Sequence, residues 1–189
     1  MEFILNLGIT VGKKQARIDK LLLVLLIALA GCGYSTKGYK YKEDKIRIKP
    51  VVNKIDISSE NRKYSGYTAY PKLIEDRLTN KLVSEFNIQG GLNVVSKSEG
   101  ALRLECQVVD YKRQTLRYTD SDDPQEQRLR LQVKMKLVDS EENVVQEKNI
   151  VGQTSFFLTG SNSKSEVAAQ IELIDDTARR INEAVVETW

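Results

Sequence analysis

The stretch RLRLQVKMKLV, Arg128–Val138, constrains this chain more than any other. Leu129, Leu131, Val133, Met135 and Leu137 alternate with Arg128, Arg130, Gln132, Lys134 and Lys136. A period of two places the five apolar side chains on one face of a β-strand and the polar set on the other. A helix would scatter both sets around its circumference. The chain therefore needs a sheet with one dry face, and amphipathic elements to cover it.

Candidates for both are at hand. Ala101–Tyr111 places Leu102, Leu104, Cys106 and Val108 on one side and Arg103, Glu105 and Gln107 on the other. Val109 and Tyr111 then take over the apolar positions, which predicts a bulge near Val108–Val109. Asn143–Leu158 is a third, less regular strand. Asp139–Asn143 is short enough for a hairpin turn, whereas Arg117–Gln127, acidic and carrying Pro124, reads as a longer loop. Upstream, Ile46–Val52 alternates as a strand in which Pro50, having no N–H, predicts an edge or a bulge. Leu92–Ser96 is a short strand-like piece. One helix is expected over Pro71–Phe86, with Ile74, Leu78, Leu82 and Phe86 on one stripe, stopped by the glycines after Gln89. A second opens on the capping pattern Ser163-Lys164-Ser165-Glu166 and runs to the C-terminus. Its stripe is Val167, Ile171, Ile174, Ala178, Ile181 and Val185. The fold class is α+β: a two-layer sandwich over residues 46–189, with two amphipathic helices on a mixed, mostly antiparallel sheet of about four strands.

The N-terminus has a different logic. Leu21–Ala30 is an apolar run of ten residues, half of the roughly 20 that span a bilayer. Basic residues precede it (Lys13, Lys14, Arg17, Lys20) and small ones follow, the layout of an export signal. The run ends in Leu29-Ala30-Gly31-Cys32, the lipobox pattern of bacterial lipoproteins. Small residues admit the peptidase, and the thiol can take a diacylglycerol thioether. The freed amine takes a further acyl chain, and several chains anchor firmly where one is marginal. Residues 1–31 are thus expected to be a cleaved signal peptide, Cys32 the lipidated residue, and 32–45 a polar tether. Gly33 is not aspartate, which by similarity to enterobacterial lipoproteins implies export to the outer membrane, on its periplasmic face.

Composition excludes more than it includes. The chain has 189 residues and a formal charge of +3, of which residues 1–31 carry +2. The remaining +1 makes no case for nucleic acid. No histidine is present, which removes the commonest acid–base group and metal ligand. Cys106 falls on the apolar side of a strand and reads as core. The pairs Asp122-Asp123, Glu141-Glu142 and Asp175-Asp176 sit in turns or on a helix, and read as solvated faces. No catalytic motif stands out, so neither an enzyme nor a bound metal is expected. The informative feature is the cationic side of Arg128–Lys136. With Arg103 alongside, it offers guanidinium and ammonium groups to a phosphorylated ligand, a lipid head group or an acidic partner. It also fits a sheet face kept soluble by charge, and Glu105 would neutralise part of it.

The order of parts resembles a known family. A lipobox leading into CGY, then IRIKPVV, the Pro-led YPKLIEDRLTNKLV, LRLECQVVDY, RLRLQVKMKLVD, a strand ending SFF and a capped last helix are similar to the lipopolysaccharide-assembly lipoproteins, LptE. That resemblance implies an outer-membrane lipoprotein that plugs the β-barrel LptD and helps place lipopolysaccharide in the outer leaflet. It implies no catalysis, and no cofactor besides the diacylglycerol and N-acyl lipid on Cys32. It implies lipopolysaccharide contacts through basic residues near the loop ends of the sheet, here Arg117 and Lys164. The acidic DSDDP beside Arg117 departs from the family, and Asn53–Tyr70 is longer than its usual link. The alternative is a lipoprotein adaptor of another envelope machine, for secretion or cell-wall synthesis.

Overall fold

The computed structural model describes residues 41, 43–55, 71, 73–89, 91–97 and 99–186. The expected signal peptide, Cys32, most of the tether and residues 56–70 lie outside these. Strands β1 (Lys45–Ile48) and β2 (Val52–Asn53) lead into helix α1 (Ile74–Gln89) and strand β3 (Asn93–Val94). Then come β4 (Leu102–Tyr118), β5 (Pro124–Val138), β6 (Val144–Phe157) and α2 (Glu166–Val186). The sheet order is β3-β1-β4-β5-β6, with β2 also on β4. β3 and β4 run parallel to β1, and β4, β5 and β6 form the expected antiparallel meander. The α+β sandwich stands, with six strands instead of about four.

The surplus has a local cause. Pro50 splits the strand expected over Ile46–Val52 into two short pieces that both run along β4. At the break the Val51 N–H turns to α1 instead, donating to Thr79 Oγ1 at 2.9 Å. The Thr79 hydroxyl in turn donates to the Glu75 carbonyl at 2.8 Å. The missing ladder bond is thus replaced, as a buried amide requires.

The meander is longer than its apolar patterns. β4 and β5 extend to a tip at residues 119–123, so the loop expected over Arg117–Gln127 is mostly strand, and Pro124 opens β5. Both hairpins close alike: Thr119 and Asp139 N–H donate to the Asp123 and Asn143 carbonyls (2.8 and 2.9 Å). Asp122 and Glu142 take the left-handed position, at φ 62° and 67°. Asp139 Oδ1 accepts the Asn143 and Glu141 N–H groups, which holds its carboxyl below the usual range. These acids are turn chemistry.

The predicted bulge is present. Val108 faces Val133 and Asp110 faces Gln132, leaving Val109 without an opposite. Val108 and Tyr111 therefore both point inward and are buried. Burial pushes the Tyr111 hydroxyl up to about 12 and the Cys106 thiol likewise up to about 12, which places Cys106 in the core as read.

Inward-facing β4 and β5 residues share one buried core with both helices. Ile74, Leu78, Leu82 and Phe86 are fully buried, as the stripe predicted. Each such side chain contributes about 1.5–3 kcal/mol relative to exposure. α1 packs on β1 and β3, and α2 on β6 and β5. α2 differs from its expected form in two respects. Its cap is Ser165, whose hydroxyl accepts the Ala168 N–H at 3.2 Å, rather than Ser163. Its buried side is Ala169, Leu173, Ile174, Thr177, Ala178, Ile181, Asn182 and Val185, leaving Val167 and Ile171 outside.

α2 lies very close to β6. A Cβ on Gly152 would overlap the Thr177 hydroxyl and come within 2.9 Å of the Thr177 Cβ. One residue along on each element, the Gln153 N–H donates to Asp176 Oδ2 at 3.0 Å, which blunts this sheet edge. Burial raises the Asp176 carboxyl, but the Gln153 N–H and the Arg180 and Arg179 guanidiniums outweigh it and hold the group below its usual range.

Two outcomes follow. Gly152→Ala should cost about 1–3 kcal/mol by overpacking, and Thr177→Ala in the same chain should recover part of it, read from urea midpoints. Asp176→Asn should cost about 1–2 kcal/mol at neutral pH. Because its folded pKa is depressed, that stability is complete above the unfolded value of about 3.9. It is lost as pH falls below, so the gap to wild type should close in acid.

Candidate functional site

The polar side of the meander faces away from both helices. β5 supplies Arg128, Arg130, Gln132, Lys134 and Lys136 to it, because each alternates with a buried neighbour. Register decides what each cation meets. Lys136 lies between Glu105 on β4 and Glu147 on β6, and Lys134 between Gln107 and Asn149. Arg130 lies between Lys112 and Gln153, and Arg128 between Gln114 and Ser155. The face is therefore divided.

Its half nearest the Asp139–Asn143 turn is balanced. Lys134 Nζ sits 2.7 Å from Glu147, and that hydrogen bond holds the Glu147 carboxyl low, with the Lys136 charge adding to it. Lys49 binds Glu105 at 2.7 Å, Arg103 binds the same carboxylate at 3.0 Å, and Arg103 also forks onto both oxygens of Glu142. This chain of charges crosses from β1 to the hairpin turn. Glu105 titrates low, first because of Lys49. A polar hollow of about 210 Å³ lies among Glu105, Gln107, Lys134, Lys136 and Glu147. The Arg103 expected to extend the basic patch is thus spent on two acids, and Glu105 neutralises as foreseen.

The half toward the Thr119–Asp123 tip is not balanced. Among the described residues no carboxylate lies within 4.0 Å of Arg128 or Arg130, and Arg130 is exposed. Lys112 stands directly opposite Arg130 and is held by Asp110 at 3.2 Å. Sequence reasoning missed Lys112. The signal was the bulge: Val109, being surplus, moves Lys112 to the outer side. Arg117 faces Glu126 across the ribbon and pairs with it at 3.0 Å. Its expected role is weakened by this acid and not only by DSDDP. Lys164 is elsewhere. It pairs at 2.5 Å with Glu172 of α2, which also accepts from Thr154, a residue opposite buried Leu129. The structure therefore brings Arg128, Arg130, Lys134 and Lys136 together, puts Arg117 at their margin, and separates Lys164 from them. Like charges held side by side in this way suit a polyanion that accepts from several donors at once.

A family model described as lipopolysaccharide-assembly, LptE, matches residues 52–187. The chain belongs to the LptE family. The match begins at β2, so β1 and the residues before it lie outside its range, including the CGY and IRIKPVV pieces of the resemblance. Among solved structures, a minor lipoprotein from Acinetobacter baumannii is similar at 19% identity, over 76% of this chain and 92% of that one, with a TM-score of 0.47. A protein from Xanthomonas campestris is similar at 12% identity, over 79% and 86%, with a TM-score of 0.51. A hypothetical protein from Chlamydia trachomatis is similar at 10% identity, over 76% and 95%, with a TM-score of 0.50. The last two share the fold. No curated protein matches the chain.

The divided face makes a differential prediction. Arg128→Glu with Arg130→Glu should weaken binding of lipopolysaccharide by about tenfold or more, some 1.4 kcal/mol. Lys134→Gln, whose charge Glu147 already meets, should change it little. Titration of immobilised lipopolysaccharide with each purified, folded variant reads both.

Proposed function

We propose that this chain is the lipoprotein subunit of a lipopolysaccharide transport complex, on the periplasmic face of the outer membrane. Cys32 carries a diacylglycerol and an N-acyl chain, residues 1–31 are removed on export, and residues 32–45 tether the 46–189 domain to the bilayer. The domain sits in the lumen of the LptD β-barrel, supports it, and helps pass lipopolysaccharide to the outer leaflet. It works by binding and shape and catalyses nothing. The observation that carries this reading is the family match over residues 52–187.

Two features of the chain support it. Among the described residues Arg128 and Arg130 are cations without acids, on a face that no helix covers, and such cations suit lipid phosphates. Leu29-Ala30-Gly31-Cys32 supplies the anchor chemistry. Arg117, Lys136 and Lys164 are secondary contacts, the first and last after their carboxylate partners yield.

Native lipoprotein drawn from mild detergent should bring down a large outer-membrane barrel; recovery without one overturns the reading. Cys32→Ala should lose metabolically incorporated palmitate and leave the outer membrane, and a variant that still carries lipid refutes the anchor.

A further inference from the structure

At its N-terminal end α2 lays Ala169 and Leu173 on the core rather than the Val167 and Ile171 of its sequence stripe. Val167 and Ile171 belong to the spacing pattern but are 58% and 50% exposed. With Ile174 they form one wall of a groove of about 380 Å³ whose other wall is Arg77, Asn80 and Lys81 of α1. One turn before Arg77, Leu73 is 64% exposed and held at φ 61°. Left-handed backbone is costly for a branched, bulky side chain, and here no burial offsets it. Scattered exposed aliphatics need no explanation. Two of them side by side on one helix, lining a concave surface, form a patch.

Charge narrows what fits. Lys81 is answered by Asp175 at 3.0 Å and by Glu85 at 3.9 Å. Among the described residues Arg77, which is exposed, has no carboxylate within 4.0 Å. The groove thus offers one apolar wall, of Val167, Ile171 and Ile174, and one unmatched guanidinium facing it. Its volume is at the small end of ligand sites, and its half-exposed walls leave it open. An open cleft of this kind suits side chains brought by a polypeptide better than an enclosed small molecule. It also has the make-up of an interaction centre, apolar within and polar at the rim.

We propose that this groove docks a segment of a partner protein that presents a large apolar anchor with a carboxylate about one helical turn away. The anchor fills the space between Val167 and Ile171, and the carboxylate meets Arg77. In the complex proposed above the segment belongs to the barrel, an assignment that rests on that reading. The docking surface and the cationic face then lie on opposite layers of the sandwich, so one can be held while the other stays open to its ligand.

Two experiments test this. Random peptides displayed on phage should be selected on the full-length lipoprotein in detergent. The enriched set should pair Leu, Phe or Trp with a nearby Asp or Glu. Ile171→Lys should weaken these peptides by about tenfold, and Arg77→Glu should switch the preference to Lys or Arg. Both positions are exposed, so the variants should melt with the wild type. No enrichment, or peptides indifferent to both substitutions, overturns the docking site. Self-association abolished by Ile171→Lys assigns the groove to a second copy and overturns the partner. A photo-crosslinker at Val167 in whole envelopes should capture the barrel. If the barrel co-purifies but is not captured from Val167, the docking surface is wrong while the proposed function stands. If Val167 captures a different, identified envelope protein, the barrel assignment is wrong while the groove stands.

Discussion

Strand β5 sets the terms for the rest of the molecule. It is paired on both sides along nearly its whole length, so its alternation dictates both faces of the sheet at once. Leu129 through Leu137 must all be dry, and Arg128 through Lys136 must all be wet. A slip by one residue against β4 would bury four cations and expose five apolar side chains. Since burying one unpaired charge costs several kcal/mol, the register has no near competitor. Stability and the candidate ligand surface therefore have a single origin.

Packing of α2 follows from that register. Gly152 is opposite Leu131 and so points at the helix layer. Having no side chain, it lets Thr177 settle against the strand, and Asp176 then reaches the Gln153 N–H. The tight approach at mid-strand fixes the helix along β6, and Ala178, Ile181 and Val185 follow inward from it. The N-terminal part turns Ala169 and Leu173 to the core, which leaves Val167 and Ile171 on the outer side.

How far the fold was legible depended on how local its causes were. The β5 alternation, the α1 stripe from Ile74 to Phe86 and the bulge at Val109 are written in consecutive residues. β2 and the distal ends of β4 and β5 were not legible. Two residues cannot show a period, and the polar Gln125–Gln127 region pairs because its neighbours hold it in register. The cations themselves could be picked out by eye. Which of them are free could not, because Glu147 becomes the partner of Lys134, and Glu126 that of Arg117, only when three strands are aligned. Lys164 lies apart from the ribbon for a more local reason: its partner Glu172 stands only eight residues further on, within α2. The stripe of α2 failed at its N-terminal end through geometry, since periodicity shows which residues share a side and not which side the helix lays on the sheet, here that of Ala169 and Leu173.

The bulge at Val109 has a meaning beyond local twist. β4 reads as two strands spliced out of step, with the splice falling between its half nearest β1 and its half nearest the tip. Removing the surplus residue would leave a regular ladder, with Val108 still opposite Val133, Asp110 opposite Gln132, Tyr111 inward and Lys112 outward; only the local twist would be lost. Adding a residue that enters the ladder would instead turn one half over, sending Lys112 toward the helices and Tyr111 into solvent. Insertions are therefore disfavoured in the stem of β4, where Val109 is a residue the ladder can lose without a change of face, while the Thr119–Asp123 tip can change length freely. Variation in how far the cationic ribbon reaches should be found at its end, not along its stem.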